Sequence, residues 1–365
     1  MRNQEDFMNK KWKVAVVGAG NFSGAYFDNI EQCADAKCVA VCDQDRQRRE
    51  AAQRRYNLPE AYASVSELLE KCEFDIAIDA ASIPAHHEIN MALLDAGKHL
   101  ITQKPAAVTV EEVTEQIELA RRRGVKFACV PVHSLAPRMK LARELIRNGA
   151  IGQLVSAKCV SAHGGPEYFQ NRQADPQWFF EPGSGALYDM GIHAVDKIVT
   201  IMGPAKRVSA MGAIALKHRV VRSGAFDGKV LQSDKLPDTW FVTLDFGNDR
   251  LGCIDTGYTH VATRCPQMEI YGSHGTITLD ASRATPELYL DSPSLGVRGW
   301  IELQAVEVSP KNSSDCSCLT DLVRAIETDT EPELSGGRAR HIVEILNAID
   351  ESAATGRIVE LKTTF

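Results

Sequence analysis

From Lys13 the chain reads KVAVVGAGNFSGAYFDNI. An apolar run at Val14 to Val17 stops at glycines, and apolar residues then recur at Phe22, Ala25, Tyr26 and Ile30. The run fits a strand buried on both faces, and the later spacing fits one face of a helix. The alternation continues along the first third of the chain. AKCVAVCDQD is a second apolar strand ending in Asp43, Phe74 to Ile78 a third, and Ala85 to Leu94 a helix. His99 to Thr102 reads as a strand, Val110 to Arg122 as an amphipathic helix, and VKFACV at 125–130 as another strand. Strands and helices in strict alternation predict an α/β, Rossmann-type doubly wound parallel sheet.

The texture changes after Pro137. A helix, MKLARELIRNG, closes at Gly149, and longer strand patterns follow at 153–161, 206–217, 239–246, 250–257, 267–271 and 275–280. Turns such as Gly247-Asn248-Asp249 separate them, as in hairpins. A C-terminal α+β domain with a large, mainly antiparallel open sheet is therefore expected, its exposed face suited to a homodimer or homotetramer. Helices are predicted at 316–328 and 338–354. The expected division is 1–134 for nucleotide binding and 135–365 for substrate binding and oligomerisation, with the C-terminal helix free to pack back on the first domain.

Composition narrows the picture. With 365 residues, 44% of them hydrophobic, the chain can build two cores rather than remain disordered. A formal charge of −7 with acids and bases mixed, and no long basic run, argues against nucleic acid as a partner. The ten cysteines are scattered without zinc-site spacing. The polar start MRNQEDFMNKK does not look like a secretory signal, and no apolar run reaches transmembrane length, so a cytoplasmic protein with no membrane partner is expected.

The chemistry gathers in two places. In the glycine turn, Gly18 suits the tight bend and Gly20 a close approach of backbone to a pyrophosphate, with the helix N-terminus behind them. The third fingerprint position holds Ser23 instead of glycine. Asp43, 25 residues after Gly18, stands near the spacing at which a carboxylate receives ribose hydroxyls and repels a 2′-phosphate, which favours NAD over NADP. An acidic helix cap at Asp43 or Asp45 is the alternative. Ala80, Ser82, Pro84 and Gln103-Lys104-Pro105 fall at strand ends, on the rim where such sheets bind ligands. The second cluster is EPGSGALYDMGIHAVDKIV. Asp189 and His193 would share a helical face, and His193 and Asp196 could also meet. A carboxylate that orients an imidazole suits proton abstraction from an alcohol; a helix cap with a satisfied histidine is the plainer alternative. No convincing third ligand accompanies the pair, so no metal is expected.

These blocks resemble the glucose-fructose oxidoreductase and inositol dehydrogenase family of NAD(P)-dependent enzymes over nearly the whole chain. The likeness is carried by VAVVGAG, by IPAHHEINMALLDAGKHLITQKP with Pro84, His87, Gly97, Lys98, His99, Lys104 and Pro105, by NGAIG, and by GSGALYDMGIHAVD. It implies that Lys104 contacts the reacting hydroxyl or carbonyl, that His193 is the acid/base, and that Asp189 binds substrate or orients it. Cofactor contacts are expected from Gly18, Gly20, Asn21, Phe22, Ser23, Asp43, Ala80, Ser82, His87, Gln103 and Lys104. Substrate contacts are expected from His133, His163, Trp178, Asp189 and His193, with Tyr258 and His260 following a strand that could reach the same crevice. The implied reaction is hydride transfer between NAD and a secondary alcohol of a polyol or sugar. An NAD-dependent glycoside hydrolase with transient redox and a non-catalytic dinucleotide-binding protein are the alternatives. Gln103 departs from the common glutamate, and His133-Ser134 from the common arginine or aromatic.

Overall fold

A computed structural model describes residues 11–20, 22–169, 175–280, 282–293, 296–303 and 316–365. The chain divides into two compact units. One takes the described residues up to Leu135 and those between Ser309 and Arg340; the other takes those from Ala136 to Val308 and from His341 onward.

In the first unit, β1 (Trp12–Val17), β2 (Ala36–Cys42), β3 (Glu60–Tyr62), β4 (Ile76–Asp79), β5 (His99–Thr102) and β6 (Phe127–Cys129) form one parallel sheet in the order β3-β2-β1-β4-β5-β6. The crossovers carry α1 (Ser23–Gln32), α2 (Arg46–Arg55), α3 (Val65–Lys71), α4 (Ile83–Asp95) and α5 (Val110–Arg123). The order reverses between β1 and β4, so the crevice beyond their carboxyl ends is the ligand position of this topology. Local signals set the helix ends: Thr109 and Glu112 form a reciprocal capping box before α5, and Gly124 closes it in the left-handed conformation.

In the second unit, α6 (Pro137–Arg147) leads into β7 (Leu154–Ala162), and α7 (Ile192–Met202) precedes β8 (Arg207–Ala213), β9 (His218–Val220) and β10 (Val230–Gln232). There follow β11 (Thr239–Asp245), β12 (Leu251–Gly257), β13 (Met268–Gly272), β14 (Gly275–Leu279), β15 (Glu287–Ser292) and β16 (Val297–Glu302). The chain ends with α8 (Cys316–Glu327), α9 (Gly336–Thr355) and β17 (Val359–Glu360). Helix α8 belongs with the first unit, where Leu319, Leu322 and Val323 join the core of Val14, Val16, Phe27 and Ile78. The division between the units falls inside α9.

Nine strands make the second sheet, in the order β16-β15-β14-β13-β7-β12-β11-β8-β17. It is mixed, because β7 and β12 pair in parallel while the remaining neighbours are antiparallel. Helix α7 covers one face, packing Val195, Ile198 and Val199 among Cys159, Val242 and Ile254. A side chain at Gly252 would come 2.6 Å from Ile198 Cδ1, so glycine lets helix and sheet approach. On the other face Met211 and Phe241 stand directly opposite each other, 80% and 62% exposed.

The strand expected at 206–217 stops at Ala213. Beyond it the Asp238 carboxylate accepts the amides of Ala215 and Leu216 at 2.7 and 3.0 Å, which turns the chain out of the ladder. The short strands β3, β9, β10 and β17 and the outer pair β15–β16 were not among the sequence expectations.

Candidate functional site

The nucleotide side is built where β1 ends. Gly18 adopts φ +93° and lies so close to β4 that a side chain would meet the Ala80 carbonyl oxygen at 2.6 Å. A side chain at Gly20 would meet nothing within 4 Å. The first glycine is needed for the protein's own packing, and the second leaves space over the turn. That space, at the N-terminus of the ten-residue α1, fits a dinucleotide's pyrophosphate. Ser23 is buried, and its hydroxyl donates back to the Gly20 carbonyl at 2.7 Å, so the turn absorbs the departure from glycine by satisfying the extra polar atom internally.

Asp43, at the end of β2, accepts the Ala19 amide on Oδ2 at 2.7 Å and the Asp45 amide on Oδ1 at 2.8 Å. Two carboxylate oxygens offer about four acceptor positions, so room remains for ribose hydroxyls. The helix cap belongs to Asp45, whose carboxylate accepts from Gln47 and Arg48 at the start of α2. Phe22 is 68% exposed at the N-cap of α1, and exposed Ser82 caps α4 without a side-chain bond. Asn21 lies outside the described residues.

Lys104 sits on a turn just beyond β5, and buried and half-buried polar side chains fix that turn. The Gln103 amide donates to Tyr26 Oη at 2.8 Å, while its Oε1 accepts the Lys104 amide at 3.1 Å. Gln103 therefore couples helix α1 to the lysine turn, using both the donor and the acceptor of its amide. On the other side, fully buried Asn90 donates to the Ala106 carbonyl at 3.2 Å, and so does Gln116. His86 approaches the Pro105 carbonyl at 2.7 Å. The sequence match had fallen on His87, yet that ring faces α5, within 3.3 Å of Gln116 Nε2 and 3.4 Å of Glu115. The histidine turned toward the lysine turn is its neighbour. Adjacent residues on a helix point about 100° apart, and two consecutive histidines give no sequence signal for which one is inward.

The second unit holds its own constellation. Leu187–Gly191 forms a π-helical turn in which the Ile192 amide donates to Leu187 O, five residues back. Asp189 lies in this widened turn and His193 in the first turn of α7, so the two stand on a π-to-α junction and not on one regular α-helix. Oδ2 of Asp189 accepts the Tyr258 hydroxyl at 2.9 Å and lies 3.8 Å from His163 Nε2. His163 Nδ1 accepts the Gly165 amide at 2.9 Å, so in the neutral ring Nε2 carries the proton and faces the carboxylate. The imidazole stacks on Tyr258 with centroids 5.0 Å apart.

Tyr258 is fully buried, and its backbone carbonyl accepts from Arg219, itself held by Glu167 and Asp238. This buried ion network anchors the β12 end that presents the tyrosine. His260 pairs with Asp255 at 3.1 Å instead of with Asp189. Trp178 is 44% exposed and stacked on Phe179, and His133 begins a short 3-10 turn in the first unit. Arg138, in the first turn of α6, is held by the Asp280 carbonyl and Gln267. Among the described residues no group of three or more His, Cys, Asp or Glu could hold a metal ion. No helix among them is long and apolar enough to cross a membrane.

A glycine turn after the first strand of a parallel sheet in the order β3-β2-β1-β4-β5-β6 defines a dinucleotide-binding domain, and a mixed-sheet domain follows it in the chain. Residues 12–130 match the oxidoreductase family with the NAD-binding Rossmann fold, and residues 139–278 match the GFO/IDH/MocA C-terminal domain. The chain belongs to the GFO/IDH/MocA family of NAD-linked oxidoreductases. It is 24% identical over 351 residues to myo-inositol 2-dehydrogenase of Thermotoga maritima, covering 96% of this chain and 98% of that protein. It is 26% identical over 248 residues to levoglucosan dehydrogenase of Pseudarthrobacter phenanthrenivorans, covering 64% and 62%. Among solved structures, an NAD-binding oxidoreductase from Klebsiella pneumoniae superposes with a TM-score of 0.84 at 22% identity, over 97% of this chain and 100% of that one.

Proposed function

We propose that this protein is an NAD-dependent oxidoreductase that moves hydride between the nicotinamide and a secondary alcohol of a sugar, a cyclitol or a derivative of one. The observation that carries the reading is the lysine turn: Lys104 follows β5 on the nucleotide sheet's ligand rim, on backbone held by Gln103, His86, Asn90 and Gln116. A solvated surface lysine needs no such support. The relatives named for inositol and levoglucosan dehydrogenation support the substrate class.

Gly18, Gly20 and Ser23 would hold the pyrophosphate and Asp43 the adenosine ribose, which favours NAD over NADP. Bound NAD supplies the hydride acceptor. In the alcohol-oxidising direction His193 takes the hydroxyl proton, and the Lys104 ammonium stabilises the developing alkoxide charge. Asp189 holds the substrate or the imidazole, and Tyr258 with His163 fixes the position of Asp189. Reversing the proton movements reduces a ketone. The protein would act in the cytoplasm, as an oligomer formed through the exposed face of the second sheet.

The test is absorbance at the NADH band as purified protein meets NAD and a panel of cyclitols, aldoses, ketohexoses and glycosides. A substrate-dependent rise supports the dehydrogenase. Tight nucleotide binding with no redox on any member, and with every glycoside left intact, speaks for a binding protein instead.

A further inference from the structure

His86 is 1% exposed, and both of its ring nitrogens meet carbonyl oxygens: Nδ1 lies 2.7 Å from Pro105 O and Nε2 lies 3.1 Å from Ala81 O. A neutral imidazole has one N–H and one lone pair. Either neutral tautomer would therefore press a ring lone pair against a carbonyl lone pair at hydrogen-bond distance. Only the doubly protonated ring satisfies both contacts. A flipped ring would present Cδ2 and Cε1 to the two carbonyls and leave both without an N–H donor.

A buried cation needs a counter-charge. Asp79, at the end of β4, is fully buried, and its Oδ1 accepts the Ala81 amide at 2.9 Å, in the same peptide segment whose carbonyl faces His86. Burial raises the Asp79 carboxyl, and the charge on His86 acts in the opposite direction. The two carbonyls that meet His86 lie beyond two adjacent strands of the ligand rim. Asp79 and Ala81 belong to the end of β4, and Pro105 belongs to the lysine turn that follows β5.

We infer that His86 is a buried imidazolium, with Asp79 as its counter-charge, that bridges the Ala81 and Pro105 carbonyls, ties the β4 rim to the Lys104-Pro105 turn and so acts as a positioning residue for Lys104. The function of the clamp rests on the reading of Lys104 as catalytic, whereas its charge state does not. The ring reaches the turn through a carbonyl one residue beyond the lysine, so it sets the lysine's direction without meeting substrate. A one-proton histidine could hold one of the two segments but not both.

The charge state is testable without turnover. Protein labelled with ¹⁵N at its histidines, at neutral pH, should show both His86 ring nitrogens protonated in long-range ¹H–¹⁵N spectra, with the signals assigned by their loss in His86→Asn. His86→Gln serves if the asparagine variant does not fold. A non-protonated ring nitrogen at His86 would overturn the inference, whatever the enzyme's activity. Asp79→Asn, which removes the counter-charge, should turn one of the two nitrogens into a non-protonated signal; an unchanged spectrum would rule out Asp79 as that counter-charge. With an active substrate in hand, His86→Asn should lower kcat by about tenfold or more and change the Kd for NAD little, as misplacement of one catalytic group predicts. An unchanged kcat in a folded variant would remove the positioning role and leave the charge state to the spectra.

Discussion

The Tyr258 hydroxyl donates to Oδ2 of Asp189 at 2.9 Å from a fully buried position, so the orientation of that carboxylate is set by a residue 69 positions away in the chain. Deleting the hydroxyl leaves the carboxylate short of a donor in a confined place. Tyr258→Phe should keep the fold and lower kcat/KM by about tenfold, close to the 1.4 kcal/mol expected of one lost hydrogen bond. Steady-state kinetics and a thermal melt check this together. An unchanged kcat/KM would show that Asp189 needs no such support.

The two glycines of the β1 turn should fail differently. Gly18→Ala places a methyl 2.6 Å from the Ala80 carbonyl at φ +93°, and should destabilise the first unit by about 2–4 kcal/mol. Gly20→Val points into open space. Its melting temperature should stay near that of the parent while NAD binding weakens at least tenfold by calorimetry. Equal loss of stability in both variants would contradict this division of roles.

Asp43 should decide the cofactor. The parent is expected to bind NAD at least tenfold more tightly than NADP, and Asp43→Ser to narrow that ratio mainly by losing NAD affinity. Fluorescence titration with both nucleotides measures it. A parent without preference would assign Asp43 to its structural bonds with Ala19 and Asp45 alone.

His99 gives a stability prediction with a definite sign. Burial holds its pKa down, from 6.5 to about 4, and its Nδ1 accepts the Lys126 amide at 3.0 Å, a bond that protonation there would break. Below pH 6.5 the unfolded chain takes up a proton that the folded ring refuses, so the stabilisation present above pH 6.5 is lost as the pH falls toward 4. The loss should reach about 2 kcal/mol at pH 5. Urea unfolding at pH 7.5 and pH 5 should show a smaller decrement in His99→Gln, whose side chain can still accept the Lys126 amide. Equal decrements would mean that this ring does not contribute.

Much of the first unit was legible because its signals are local. Val14 to Val17, the glycines and Asp43 lie within 30 residues of one another, and strand period, turn chemistry and helix face all agree there. The edge strands were harder to read. β15 and β16 carry charged and glycine residues, and they are strands because they extend an existing sheet edge. The inward choice between His86 and His87 depends on the angle of α4 against β5, which no local pattern encodes. The π turn at Leu187–Gly191 likewise hides a change of helical register behind ordinary helix spacing. Tyr258 entered the sequence reading only as a residue beyond a strand, since its partner is distant in the chain.

The central claim is that Lys104 and His193 carry the proton and charge chemistry. Stopped-flow absorbance of NADH formation, with NAD and a substrate found in the panel, tests it most directly. Lys104→Ala and His193→Ala should each slow the single-turnover rate at saturating NAD by about 10²-fold or more, and His193→Ala should bind NAD like the parent. Either variant producing NADH at the parent rate would contradict the account.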